Sequence, residues 1–136
     1  MKKFTFLFAL MLMALLGYSQ TTDLIISEYI EGSGNNKALE IYNGSGVAVD
    51  LSGYEIWKVA NGGTWPESTM SLTGTLSDGD VYVIYNSSAD PAIVTVGDTT
   101  WSNATWNGDD AVSTCDVLVG YPFFIYLFFI LRFGYL

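Results

Sequence analysis

The chain has 136 residues, with 14 acids against five basic residues, no histidine and a net charge of −9. Without histidine, a Ser-His-Asp triad, a His-ligated zinc and a histidine-activated thiol are excluded. The length suits one domain, and a chain this acidic does not track a phosphate backbone by bulk electrostatics, so no nucleic-acid partner is expected.

Residues 1–19 have the three parts of a secretory signal. Lys2 and Lys3 are followed by the apolar run Phe4–Leu16, then by Gly17-Tyr18-Ser19, which places small residues before a cleavage at Gln20. The run is shorter than the ~20 apolar residues of a spanning helix. Export to the medium or the cell surface is predicted, with no membrane span in the mature chain. After cleavage three basic residues face 14 acids, a net −11. The single cysteine, Cys115, permits no disulfide within the chain and reads as a buried structural thiol.

Strand signals then recur at short intervals, and no helix is expected after residue 20. Leu24–Ile30 is β-branched and aromatic. Leu39 and Ile41 alternate with Glu40 and Tyr42, and Val47–Leu51 is closed by Ser52-Gly53. Tyr54–Val59 alternates again before the turn Asn61-Gly62-Gly63. Met70–Leu76, Val81–Tyr85 and Ala92–Val96 complete the predicted strands, with the turn Ser77-Asp78-Gly79-Asp80 between the first two. The expected core contains Leu24, Ile26, Leu39, Ile41, Leu51, Ile56, Val81 and Val83. Short strands at this spacing predict an all-β fold, an antiparallel sandwich or barrel.

The composition changes near the end. In Tyr121–Leu136, eight of 16 residues are aromatic, and Arg132 is the one charge. Phe123–Leu131 is continuously apolar but too short to span a bilayer. It reads as a buried strand, an interfacial segment or an aggregation-prone stretch, but the abrupt change of composition favours an out-of-frame or truncated ending. The expected division is a signal at 1–19, a sandwich at 20–118 and an atypical tail at 119–136.

Several motifs in order resemble the lamin-tail domain family in its secreted bacterial form. They are Ile26-Ser27-Glu28-Tyr29, then Asn36-Lys37-Ala38-Leu39-Glu40-Ile41-Tyr42-Asn43, then Val49-Asp50-Leu51-Ser52-Gly53-Tyr54. Leu76-Ser77-Asp78-Gly79-Asp80-Val81-Tyr82-Val83-Ile84 and Asn107-Gly108-Asp109-Asp110-Ala111-Val112 continue the match. The resemblance implies an immunoglobulin-like β-sandwich that is exported and non-catalytic. Such domains serve as accessory modules beside extracellular nucleases, phosphatases or adhesin-like proteins, and bind a protein or a polysaccharide. The pattern lapses after Val112, which leaves the sandwich incomplete at its C-terminal end. An alternative is the N-terminal fragment of a larger extracellular hydrolase whose catalytic domain is absent.

The residues offer few chemical constellations. Glu28 and Glu40 sit on strands joined by the loop Gly32–Lys37, so their carboxylates are expected to approach. Two carboxylates serve either as hard ligands for Ca²⁺ or as the acid and base of a small hydrolase; more simply, they are solvated acids on an outer face. Asp78 and Asp80, and Asp109 and Asp110, resemble fragments of calcium loops without the full spacing. No cofactor other than Ca²⁺ is suggested. Trp65, Trp101 and Trp106 lie in loop-like segments and are candidates for an exposed binding platform. Asn43, Asn86 and Asn103 each begin an Asn-x-Ser/Thr glycosylation sequence.

The signal reading has a direct consequence. Exported protein should begin at Gln20, and its intact mass should lack the first 19 residues; retention of Lys2 and Lys3 would overturn the assignment.

Overall fold

The structure, a computed structural model, describes residues 21–117. The expected signal at 1–19 and tail at 119–136 lie outside the described residues. Nine strands form where β-branched and aromatic residues run between turns. They are β1 (Ile25–Glu31), β2 (Lys37–Tyr42), β3 (Val49–Asp50), β4 (Tyr54–Val59), β5 (Ser68–Ser71), β6 (Thr75–Leu76), β7 (Val81–Tyr85), β8 (Thr99–Thr100) and β9 (Ala111–Asp116). One sheet has the order β1-β2-β7-β8, a second the order β5-β4-β9, and β3 pairs with β6. Every pairing is antiparallel except β7 with β8. Leu39, Ile41 and Ile84 from the first sheet meet Ile56 and Val112 from the second, with Leu24, Leu51, Leu72, Leu76, Trp101 and Trp106 in the same core. The result is the expected immunoglobulin-like β-sandwich.

Strict alternation fails at one point in β1. Ile26 pairs with Ile41 but Glu28 pairs with Glu40, so Ser27 is an extra residue and the strand bulges. The bulge reverses the phase of everything after it. Ile26 and Tyr29 both pack on the core, three residues apart. Ile30 consequently faces outward with Glu28.

Four expectations are corrected. Val81 and Val83 are not core residues: Val81 is exposed, and Ile84 and Tyr82 turn inward instead. Every side chain in VYVIY is apolar or aromatic, so alternation cannot choose a face. The choice is made by pairing, which sets Ile84 opposite Leu39 and Val83 opposite Glu40. Met70–Leu76 is two strands, not one, because Leu72 turns into the core and Gly74 takes a positive φ of 98°. Val47–Leu51 shortens to β3, with Leu51 in a single 3-10 turn (Leu51–Gly53). Ala92–Val96 is not a strand but lies in a short helix, α1 (Pro91–Val96). Pro91 starts it, and the Asp90 carboxylate accepts from the Ala92 N–H at 2.9 Å. Cap and proline together outweigh the β-branched preference of Ile93, Val94, Thr95 and Val96.

Two buried asparagines close the central pair β2–β7 at opposite ends. The strands end alike, in Ile41-Tyr42-Asn43 and Ile84-Tyr85-Asn86. Asn43 Nδ2 donates to the carbonyls of Val47 (2.8 Å) and Leu76 (2.9 Å), while its Oδ1 accepts from the Ser45 N–H (3.0 Å) and hydroxyl (2.7 Å). Asn86 Nδ2 donates to Ala104 O (3.0 Å) and its Oδ1 accepts from the Ser88 N–H (2.9 Å). The serine of each Asn-x-Ser sequence is thus a turn partner, and two of the three glycosylation sequences have their asparagine inside the fold.

Alanine at Asn43 or Asn86 leaves buried carbonyls without donors and should cost ~1–3 kcal/mol. Leu39→Ala, in the fully buried centre of β2, should cost ~2–5 kcal/mol. Exposed Asn103→Ala should stay within ~0.5 kcal/mol. Urea unfolding measures all four, and equal midpoints for Asn43→Ala and Asn103→Ala would contradict the clamp.

Candidate functional site

The outer face of the first sheet carries a cleft. β2 turns Leu39 and Ile41 inward, so Ala38 and Glu40 point away from the core. Glu28 and Val83 flank Glu40 on one rung, and Ile30 lies beside Ala38 on the next. Helix α1 stands over this face. Together Glu28, Ile30, Ala38, Glu40, Val83, Ala92, Ile93 and Val96 line a cleft of about 250 Å³.

The helix is tied down at both ends. At its start, the Asp90 N–H donates to the Asn36 side-chain oxygen at 2.7 Å, linking it to the β1–β2 loop. At its end, the Val83 N–H donates to Asp98 Oδ2 at 2.7 Å and the Asp98 N–H donates to Val83 O at 2.9 Å. The Tyr85 ring lies directly against Gly97, where an added Cβ would clash with it. Glycine is required there by close approach.

Glu28 and Glu40 share one face of the sheet and line the same cleft. They are cross-strand partners on one face, brought together by the bulge. The Ser27 hydroxyl donates to Glu40 Oε1 at 2.8 Å. Neither Ser27 nor α1 was singled out as part of a site by sequence reasoning. A bulge leaves no mark in composition, and the residues of α1 have the β-branched composition of a strand.

Asp78, Asp80 and Asp110 of the acidic turns accept from backbone N–H groups, some of them from distant turns. Asp78 Oδ1 accepts from the Gly46 N–H at 2.8 Å and Asp80 Oδ1 from the Val81 N–H at 3.0 Å. Asp110 accepts from the N–H groups of Asn61 and Asn107, both at 3.1 Å. With its side-chain amide oriented to suit its surroundings, Asn61 also donates to Asp109 at 3.2 Å. Among the described residues no three Asp, Glu, Cys or His side chains converge as a metal cluster.

The aromatic platform is corrected for two of its three members. Trp101 and Trp106 are buried, at 7 % and 0 % exposure. Trp106 reaches between the sheets, donates its indole N–H to Ile30 O at 2.9 Å and sets its ring 5.3 Å from Tyr29 and 6.5 Å from Trp101. A loop-like sequence context gave no sign of this, because the loop folds inward to fill the core. Trp65 is half-buried and lies 6.4 Å from Trp57; its indole N–H is buried without a partner among the described residues.

Both lysines of the described residues turn inward. Lys37 Nζ donates to Gly32 O at 2.6 Å, and Lys58 Nζ to Thr105 Oγ1 at 2.8 Å, with Asp110 4.0 Å away. All 14 acids lie between Asp23 and Asp116, so the surface is left with little cationic cover. Burial pushes the Cys115 thiol up, aided by Glu55 and Asp116, which disfavours the reactive thiolate.

The Lamin Tail Domain family model matches residues 18–117, which include every strand described above. The chain therefore belongs to the lamin tail domain family. A search of curated proteins gives no match.

Two tyrosines resist ionisation in this structure. Burial, then the charges of Glu31 and Asp110, raise Tyr29. Burial raises Tyr54 as well, followed by its hydroxyl's 2.6 Å hydrogen bond to Asp23. Both folded values exceed the unfolded value of about 10, so their contribution to stability is complete below pH ~10 and is lost as pH rises through the folded values. Ultraviolet titration should show both phenols ionising after the bulk of the tyrosines. Tyr54→Phe should remove one late step and flatten the alkaline loss of stability.

Proposed function

We propose that this chain is a secreted, non-catalytic interaction module of the lamin tail type, of the kind bacteria export. Three things support the reading. The family is one of sandwich domains, the first 19 residues have the make-up of a signal, and the sandwich offers a walled cleft. The cleft carries the argument. Its floor is β1, β2 and β7, its wall a helix tied at both ends, and its lining apolar but for two carboxylates. Such concave, largely apolar sites with few polar groups suit recognition. The partner is a protein or a polysaccharide.

The competing use of Glu28 and Glu40 is hydrolysis, which their common face leaves geometrically open. Purified chain should show no turnover of nitrophenyl glycosides, phosphates or esters above buffer. Turnover that disappears in Glu28→Gln or Glu40→Gln would replace this reading with an enzyme.

A further inference from the structure

Resting on that interaction-module reading, we propose that the cleft under α1 binds the lysine side chain of a partner polypeptide. The ammonium lies between Glu28 and Glu40, and the stem runs over Ile30 and Ala38 against Ile93 and Val96. The chemistry of the lining selects this occupant. The two carboxylates share one rung of the sheet with Val83, and the next rung is the apolar pair Ile30 and Ala38. Negative charge is therefore confined to one end of an otherwise hydrocarbon trough. A lysine has the matching division, a compact point charge on a four-carbon apolar stem.

The alternatives fit less well. Ca²⁺ takes about 6–8 oxygen ligands, and Ala, Ile and Val side chains supply none beyond the two carboxylates. A sugar is normally received on an aromatic face, and among the described residues no aromatic lines the cleft. An anion is repelled. At about 250 Å³ the cleft lies just below the ~300–1,000 Å³ range of small-molecule sites, a size for one side chain.

Charge complementarity extends beyond the cleft. Among the described residues no basic side chain lines it, and the two lysines are buried and hydrogen-bonded elsewhere. A cationic partner meets an unopposed negative surface, which favours its encounter and makes binding sensitive to salt.

The test is an amide NMR titration of the full chain with two matched pairs of probes. The first pair is n-pentylammonium and n-pentanol. The second is acetyl-Gly-Lys-Gly-amide and the same peptide with norleucine for lysine. The charged probe of each pair should shift the amides of Glu28, Glu40, Val83 and Ile93. Its affinity should fall roughly three- to fivefold with Glu28→Gln and again with Glu40→Gln, and fall further with added salt. Ala92→Phe, an exposed position on α1, should block the cleft while leaving the remaining spectrum in place. Equal binding of lysine and norleucine, shifts confined to other surfaces, or perturbation of the same amides by Ca²⁺ but not by alkylammonium would each overturn the proposal. Hydrolytic turnover measured on the same samples would defeat the interaction-module reading; absent shifts without turnover would defeat only the lysine assignment.

Discussion

The single extra residue in β1 is the constraint on which both the core and the cleft depend. Without it, Ile26, Glu28 and Ile30 would share a face, and a carboxylate would point at the other sheet. With Ser27 inserted, Ile26 and Tyr29 both face inward, while Glu28 and Ile30 face out. Tyr29 then meets Trp106, whose indole N–H is satisfied by the carbonyl of Ile30. One irregularity thus completes the aromatic core and sets Glu28 and Glu40 on one outer face as cross-strand partners. The Ser27 hydroxyl, bonded to Glu40, ties the bulge to the site it creates.

The central pair β2–β7 is held by a different device. Each strand ends in the same Ile-Tyr-Asn sequence, and in an antiparallel pair identical ends lie at opposite edges. Each asparagine reaches a carbonyl of a distant segment, Leu76 for Asn43 and Ala104 for Asn86. Backbone bonds complete the closure, from the Asn43 N–H to Asp80 O and from the Asn86 N–H to Lys37 O. A fully satisfied buried amide specifies one arrangement, since a slip by one residue strands its donors and acceptors in the interior. These amides add to the register that the buried hydrophobic face of the sheet already specifies.

The legible part of the sequence is where one face is polar and the other apolar. Leu39 and Ile41 against Glu40, and Ile56 between Glu55 and Trp57, gave the correct strands and faces. The family motifs carried the topology. Three kinds of residue were not legible. Uniformly apolar VYVIY has no polar face to mark its phase, which is borrowed from β2. Ala92–Val96 has β-branched composition, and only the preceding Asp-Pro announces a helix. Trp101 and Trp106 sit among glycine and asparagine, yet a tryptophan in a loop is as able to fill a core as one in a strand. For the site, the meeting of Glu28 and Glu40 followed from a short loop between adjacent strands. The helix that walls the cleft did not.

That meeting carries an energetic implication. Like charges directly opposite each other on neighbouring strands are destabilising, by a fraction of a kcal/mol at exposed positions. Glu28 is exposed and Glu40 half-buried, so water screens the pair only in part. The Ser27 hydroxyl offsets some of the cost at Glu40, but it carries no charge. An outward strand position accepts many polar residues, and Gln or Thr at either site would avoid the repulsion. Carboxylates at both are most stable with a cation between them. The described lysines cannot supply it, because both are buried in other contacts. A cationic group of an occupant of the cleft would relieve that repulsion, which is the role proposed for the partner's lysine.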